Sequence, residues 1–357
     1  MPIKDTISSA HSNWMEGIGP DNDIVISSRI RLARNIGGYP FPHFMQEGDA
    51  DKVFQSVKLA VSDSGLIKDV GALEFTDLTE LTKTERQILV EKHLISPQHI
   101  EKPLHRAVVI APDESVSIMV NEEDHLRIQC LLPGLQLEEA WALAEKLDDL
   151  LEKNLDYSFC EKRGYLTSCP TNVGTGLRAS VMLHLPCLVM AKQLSKIVNA
   201  ISQLGLAVRG YYGEGTEAYG SLFQVSNQVT MGQTEEEIVK NLLTVTKQIV
   251  SQERATREIV LKDNRALMED KVYRAYGIMR YARITTSQEA LNNISDVRLG
   301  VELEILQGLT FGIINELMIL TRPAFLVKKA GRSLNPEERD TYRAQIIREK
   351  LSETEIN

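Results

Sequence analysis

Residues 107–111 (AVVIA), 116–121 (VSIMVN) and 125–131 (HLRIQCL) are β-rich runs joined by connections of only four and three residues. Connections that short cannot hold a crossover helix, so the runs pair as antiparallel neighbours. Val116, Ile118 and Val120 share one face of the second run, and Ser117, Met119 and Asn121 share the other. Pro133-Gly134 ends the third run, and 136–154 has helical spacing. Further on, 164–168 reads as a short strand, 176–185 and 188–203 as helices interrupted by Pro186, and 206–212 and 218–229 as strands. Thr234-Glu235-Glu236-Glu237 is a capping-box pattern, with Ile238, Leu242, Val245 and Ile249 at helical spacing behind it. Beyond it nearly every segment reads as helix, and Asn335-Pro336-Glu337-Glu338 marks one more helix start. The expected class is α+β: an antiparallel sheet flanked by helices over residues 1–255, then an all-α C-terminal domain over 256–357. A helix running through 255–265 would soften that boundary. In the helical part, Leu303, Ile305, Leu306, Ile313, Ile314, Leu317 and Met318 are candidates for a core or for a self-association face.

The formal net charge is −9, from 40 basic and 49 acidic residues. An acidic surface disfavours nucleic acid or an anionic membrane as the main partner, and leaves room for a local basic cleft. No apolar run approaches the ~18 residues of a membrane span. The stretch Met1 to Trp14 lacks the apolar core of a signal peptide. Cys130, Cys160, Cys169 and Cys187 form no C-x-x-C pair, so neither a zinc ribbon nor a thioredoxin-type redox site is expected; at this length a disulfide scaffold is not expected either, and the reducing cytoplasm is the expected location.

Four segments carry candidate chemistry. In Ser27-Ser28-Arg29-Ile30-Arg31, the two arginines share one strand face, as a fork for phosphate oxygens or as solvated edge cations. Asn121-Glu122-Glu123-Asp124-His125-Leu126-Arg127 packs three acids into a connection without glycine, which is either a solvated turn or a place where a cation relieves their repulsion. Cys169-Pro170-Thr171-Asn172-Val173-Gly174-Thr175-Gly176-Leu177-Arg178 reads as a Gly-rich loop opening a helix, a geometry that favours anions. Its plainer reading is a buried Cys with turn glycines. Arg209-Gly210-Tyr211-Tyr212-Gly213-Glu214-Gly215 brackets Glu214 with glycines, as a ligand-approaching loop or an ordinary hairpin. Together, Arg29, Arg31, Arg127, Arg178 and Arg209 suffice to neutralise a nucleoside triphosphate, yet neither a Walker A pattern nor the H-R-D and D-F-G pair is present.

Cys169 to Thr175 (CPTNVGT), Asn121 to Arg127 (NEEDHLR), Arg209 to Glu217 (RGYYGEGTE) and, in order, Ser226-Asn227, Met231-Gly232 and Thr234-Glu235 resemble the phosphagen (guanidino) kinase family across roughly residues 22–250. Within it the similarity is greatest to the bacterial protein-arginine kinases. Metabolic members carry a small all-α domain before the segment that here starts at Ser27, and Arg339-Asp340-Thr341-Tyr342-Arg343-Ala344 resembles an R-D-x-x-R-A phosphoarginine-binding motif. Arg339 and Arg343, four apart, would share a helix face, as a double fork or as solvated charges.

The resemblance implies an ATP-dependent kinase of protein arginines. It assigns Glu123 and Glu214 to gripping the acceptor guanidinium and taking its proton, and Cys169 to tuning. It places ATP against Ser27, Ser28, Arg29, Ile30, Arg31, His93, Arg127, Arg178, Ala179, Ser180, Val181, Met182, Arg209, Gly210, Tyr211, Tyr212, Gly213 and Glu214, with Mg²⁺ held through the phosphates and not by the protein. Arg339, Asp340, Arg343 and Ala344 would form an allosteric phosphoarginine site. Implied partners are proteins with accessible arginines, a heat-shock repressor among them, a zinc-containing activator, a Clp protease downstream in the bacterial stress response, and a second copy of the chain. A metabolic kinase of free guanidino compounds and a non-catalytic phosphoarginine-binding protein are the alternatives.

Overall fold

The structure is a computed structural model and describes residues 2–353 apart from 64, 65, 67, 69 and 211–218. Its frame is one antiparallel sheet of eight strands: β1 (Val25–Arg34), β2 (Glu74–Asp77), β3 (Ala107–Ile110), β4 (Val116–Val120), β5 (Leu126–Pro133), β8 (Leu177–His184), β9 (Leu206–Gly210) and β10 (Leu222–Asn227). The spatial order is β2-β3-β4-β5-β1-β8-β10-β9, and a separate two-stranded pair, β6 (Phe159–Cys160) with β7 (Gly164–Tyr165), lies apart from it. The helices are α1 (Pro2–Ser8), α2 (Glu47–Val61), α3 (Lys83–Glu91), α4 (Leu137–Glu152), α5 (Pro186–Met190), α6 (Leu194–Gln203), α7 (Glu235–Tyr281), α8 (Ser287–Glu302), α9 (Phe311–Leu320), α10 (Pro323–Ala330) and α11 (Pro336–Ser352).

The β3–β4–β5 meander stands as its short connections require, with Val109 opposite Ile118 and Ile118 opposite Ile128. Its glycine-free turn closes because Asn121 takes the left-handed conformation (φ 57), which asparagine tolerates, and donates its N–H to the His125 carbonyl at 2.9 Å.

One expectation fails. Residues 176–185 are not a helix: Leu177–His184 is strand β8, paired with both β1 and β10. The period is two, with Leu177, Ala179, Val181 and Leu183 in the core. The glycines before it serve close backbone approach. At Gly176 (φ +65) a Cβ would lie 2.6 Å from the Ala33 carbonyl, and at Gly174 (φ +112) 2.2 Å from that of Thr230. Pro186 opens α5 rather than breaking a helix.

One sheet face buries Ile30, Leu32, Ile118, Ile128 and Val181 under α2, α4 and the first half of α7. On the other face Ile26, Leu131 and Met182 form a core with α3 and the C-terminal helices, while the part carrying Arg29, Arg31, Arg127 and Arg178 is left as a cleft. The long α7 crosses residues 255–265 and leaves helical geometry only at Asn264 (φ −143, ψ 43). Leu306, Ile314, Leu317 and Met318 are buried, and Leu303, Ile305 and Ile313 pack against them, so this apolar set is core.

The two halves are locked by a charged cluster. The Glu302 carboxylate, 0% exposed, is 2.8 Å from Arg257, 2.9 Å from Arg298 and 3.2 Å from His184 on β8. Arg298 also donates to Asn315 (2.6 Å) and to the Asn22 carbonyl (2.7 Å).

Candidate active site

β1 lies between β5 and β8, and the registers bring their polar residues onto one face. Arg31 stands opposite Gln129 on β5 and Arg178 on β8; Ala33 stands opposite Arg127; Arg29 stands opposite Ser180. Arg209 on β9 continues the row opposite Gln224. Five arginines from four strands thus share one side of the sheet, as strand pleating demands of residues directly opposite each other.

A cavity of about 430 Å³ opens over three of them, Arg29, Arg31 and Arg127, and is lined also by His93, Gln129, Gly210 and Gln224. Arg29 donates to Ser180 Oγ (3.4 Å) and to Gln224 Oε1 (3.2 Å). Burial, then the neighbouring charges of Arg29, Arg127 and Arg178, push the Arg31 guanidinium well below its ordinary range. Burial followed by Arg209 and Arg127 also lowers Arg178. The Nε atoms of Arg31 and Arg178 are buried with no hydrogen-bond partner among the described residues. Crowded, half-buried cations with orphaned donors are matched by a polyanion, and the donor set suits phosphate oxygens.

His93 ends the α3 turn in the left-handed conformation (φ 63), which places its ring beside Trp14 and in the cavity wall. Burial, then the charges of Arg29 and Arg322, lower it to about 3, so the ring is neutral at physiological pH. Ser27, Ser180 and Met182 line a recess beside Arg29. The other sequence-predicted neighbours face away: Ile30, Ala179 and Val181 sit in the opposite core, and Ser28 Oγ bonds Gly134 and the amide of Gln136 at the start of α4.

The acidic turn borders the same face. Glu122 accepts from Ser96 Oγ (2.6 Å), Arg127 (2.8 Å) and the Glu123 amide (3.0 Å). Burial works against its ionisation, but Arg127, Ser96 and that amide outweigh it and hold its carboxyl below the usual range. Glu123 is different. Its side chain is 41% exposed and 3.5 Å from Arg127. Burial, reinforced by Asp124 and Glu122, raises its carboxyl above the ordinary value although Arg127 pulls it down. Glu122 is therefore fixed as an anion in a salt bridge, whereas Glu123 is the open, more basic carboxylate.

Asp124 and Asn35 set the turn. Asp124 Oδ1 accepts from Asn35 (2.6 Å) and from the Ser168 amide (2.7 Å), while Asn35 Oδ1 accepts from the His125 amide (2.9 Å). These bonds tie the acidic turn, the end of β1 and the Cys169 segment together. Cys169 opens a single 3₁₀ turn (Pro170–Asn172), half-buried, with Sγ 3.0 Å from Thr171 Oγ1. The strand reading of 177–184 means that no helix N-terminus stands behind this loop; its charge partner is Arg178, whose guanidinium feels both Cys169 and Glu123. Tyr211, Tyr212, Gly213 and Glu214 lie outside the described residues.

In the second predicted site, Arg343 is not a free fork. It is 2% exposed and donates to the carbonyls of Thr321 and Thr285, both at 2.9 Å, and to Asp340 at 2.5 Å. Ala344 is buried beside it, and Arg339 and Asp340 remain partly exposed. The sequence spacing put both arginines on one helix face; packing of α11 against the 282–286 connection buries one of them.

Sequence reasoning missed Gln129 and Gln224, whose roles depend on pairings across the sheet, and Asn35 and Ser96, whose partners in the acidic turn lie far along the chain. It also missed Arg322, which lines the cavity from the helical half.

Comparison with known proteins agrees with this geometry. Residues 52–256 match the model of the ATP:guanido phosphotransferase C-terminal catalytic domain, and residues 265–357 that of the protein-arginine kinase McsB C-terminal domain. The protein-arginine kinase of Desulforamulus reducens is 59% identical over 99% of both chains, and that of Pelotomaculum thermopropionicum 55% identical, again over 99% of both. Among solved structures, the duplicated taurocyamine kinase of Schistosoma mansoni is 27% identical (TM-score 0.59), covering 65% of this chain and 33% of its own. A lombricine kinase is 25% identical (TM-score 0.56), covering 71% of this chain and 75% of its own. With its arginine-lined sheet face and its open carboxylate, the chain belongs to the protein-arginine kinases of the guanido phosphotransferase family, enzymes that transfer phosphate to the guanidino group of arginine.

Proposed function

We propose that the chain uses ATP with Mg²⁺ to phosphorylate arginine side chains of other proteins. The observation that carries this reading is the row of five arginines beside an acidic turn in which one glutamate is locked and the other is open. Arg29, Arg31, Arg127, Arg178 and Arg209 bind the phosphates and stabilise the charge that develops in transfer. ATP supplies the phosphoryl group. Mg²⁺, when bound with the nucleotide, would be held through phosphate oxygens and water.

An arginine guanidinium is protonated and a poor nucleophile. Glu123, with Glu214 from the 209–217 segment, orients its nitrogens and takes the proton as nitrogen bonds to phosphorus and the bond to the ADP oxygen breaks. Cys169 adds negative potential near Arg178 without forming a covalent intermediate.

Residues 1–255 then carry catalysis, and 256–357 bind phosphoarginine and mediate homodimerisation. No helix among the described residues is long and apolar enough to cross a membrane. The reading extends to a cytoplasmic enzyme that marks proteins, a heat-shock repressor among them, for a Clp protease in the bacterial stress response, with a zinc-containing activator as partner. Initial rates with an unfolded arginine-rich protein, free arginine, taurocyamine and lombricine test the substrate class. The protein is expected to be the efficient acceptor; a free guanidino compound as the efficient acceptor would move the assignment to metabolic kinases.

A second expectation concerns Arg339 and Asp340. The Arg339→Ala, Asp340→Ala double variant should leave ATP binding unchanged and shift the response to free phosphoarginine to about tenfold higher concentration, the worth of one charge-assisted contact. An unchanged dose response would return the motif to a solvated helix face.

A further inference from the structure

The arginine-lined cavity is closed on one side by a residue from the helical half. Arg322 immediately precedes α10 and lines the same 430 Å³ space as Arg29, Arg31, His93 and Arg127. Two sets of contacts bring it there. From the sheet side, Glu91 at the end of α3 accepts the amides of Ala324 (2.9 Å) and Phe325 (3.2 Å), and Glu85 pairs with Lys328 at 3.0 Å. From the helical side, Arg343 donates to the carbonyl of Thr321, the residue before it.

The charge balance of the cavity gives this placement its meaning. Among the described lining residues are four guanidiniums and one carboxylate, Glu91, whose two oxygens are engaged by the α10 amides, and outside the lining Glu122 pairs with Arg127. The Glu91 carboxyl is itself raised to about 7, chiefly by burial, so its opposing charge is incomplete near neutrality. The charge of Arg322 is felt by His93 on the cavity wall and by buried Arg343 behind it. A further guanidinium facing the same space as Arg29, Arg31 and Arg127 adds donors suited to phosphate oxygens.

We propose that Arg322 is a phosphate-anchoring residue of the nucleotide site, contributed by the helical half and positioned by Glu91 and by the Arg343–Thr321 bond. The inference rests on the ATP reading above. It makes the donor site a composite of both halves, so that α10 must be docked for full nucleotide affinity.

The test is calorimetric titration of the full chain with a non-hydrolysable ATP analogue and Mg²⁺. Arg322→Gln is expected to raise Kd about tenfold, the loss of one charge-assisted contact. Its thermal midpoint without nucleotide should stay at the wild-type value, and Arg322→Lys should show a smaller rise in Kd. If Arg322→Gln does not fold, Arg322→Met, which keeps the aliphatic stem, carries the same expectation. A wild-type Kd in the folded variant overturns the proposal. So does a rise in Kd that only tracks a lowered midpoint, which would assign Arg322 to holding α10 in place. Absence of binding by the wild type would overturn both this inference and the ATP reading, whereas wild-type binding with an unaffected variant overturns this inference alone.

Discussion

Glu123→Gln is expected to lower arginine phosphorylation about a hundred- to ten-thousandfold, the usual worth of a positioned base, while leaving Kd for ATP near the wild-type value. The residue borders the arginine row at Arg127 and, among the described residues, holds no side-chain hydrogen bond comparable to those of Glu122, so an uncharged isostere should fold normally. Burial and the flanking acids raise its carboxyl above the ordinary glutamate value. A base must be ionised to accept a proton, so activity rises with pH through that raised value. The acid limb of kcat/KM should lie above the ordinary glutamate range and disappear from any residual activity of the variant. The opposite pattern, an unchanged kcat with a raised KM for ATP, would place Glu123 on the donor side and remove the central assignment.

The largest effect on stability is expected at Glu302. Glu302→Ala takes the shared carboxylate from buried Arg298 and His184 and leaves Arg257 with Glu253 and Asp23. Removing one partner of a buried ionic group costs about 3–5 kcal/mol, because the remaining charges keep their desolvation penalty and lose its compensation. The cluster joins α8 to β8 and, through the Arg298 contact with Asn22, to the segment before β1. Loosening should therefore reach the arginine row, and denaturant titration should show a lowered midpoint together with weaker nucleotide affinity. A change below about 1 kcal/mol would mean that packing alone holds the halves together.

Both predictions depend on features of unequal legibility in the sequence. The β3–β4–β5 meander was legible because its connections admit no other pairing, and the alternation of Arg29 and Arg31 fixed their shared face. The segment 177–184 misled because Pro186 and the preceding glycines suggested a loop-to-helix transition; its alternation of Leu177, Ala179, Val181 and Leu183 carried the strand signal. The Glu302 cluster draws on positions 184, 257, 298 and 302, and nothing local marks them as neighbours. The Arg322-Pro323 pair announces a helix start, but only the docking of α10 on Glu91 shows what Arg322 faces. Likewise Arg343 has the spacing of a binding fork and the burial of a structural residue.

The central claim is that this site makes a phosphorus–nitrogen bond on protein arginine. Incubation of the full chain with γ-labelled ATP, Mg²⁺ and unfolded casein, followed by acid treatment of half the sample, tests it most directly. The account predicts label on the casein that is lost in acid and retained in mild base, and that is absent with Glu123→Gln. Acid-stable label, or no label above that of the Glu123→Gln variant, would contradict it.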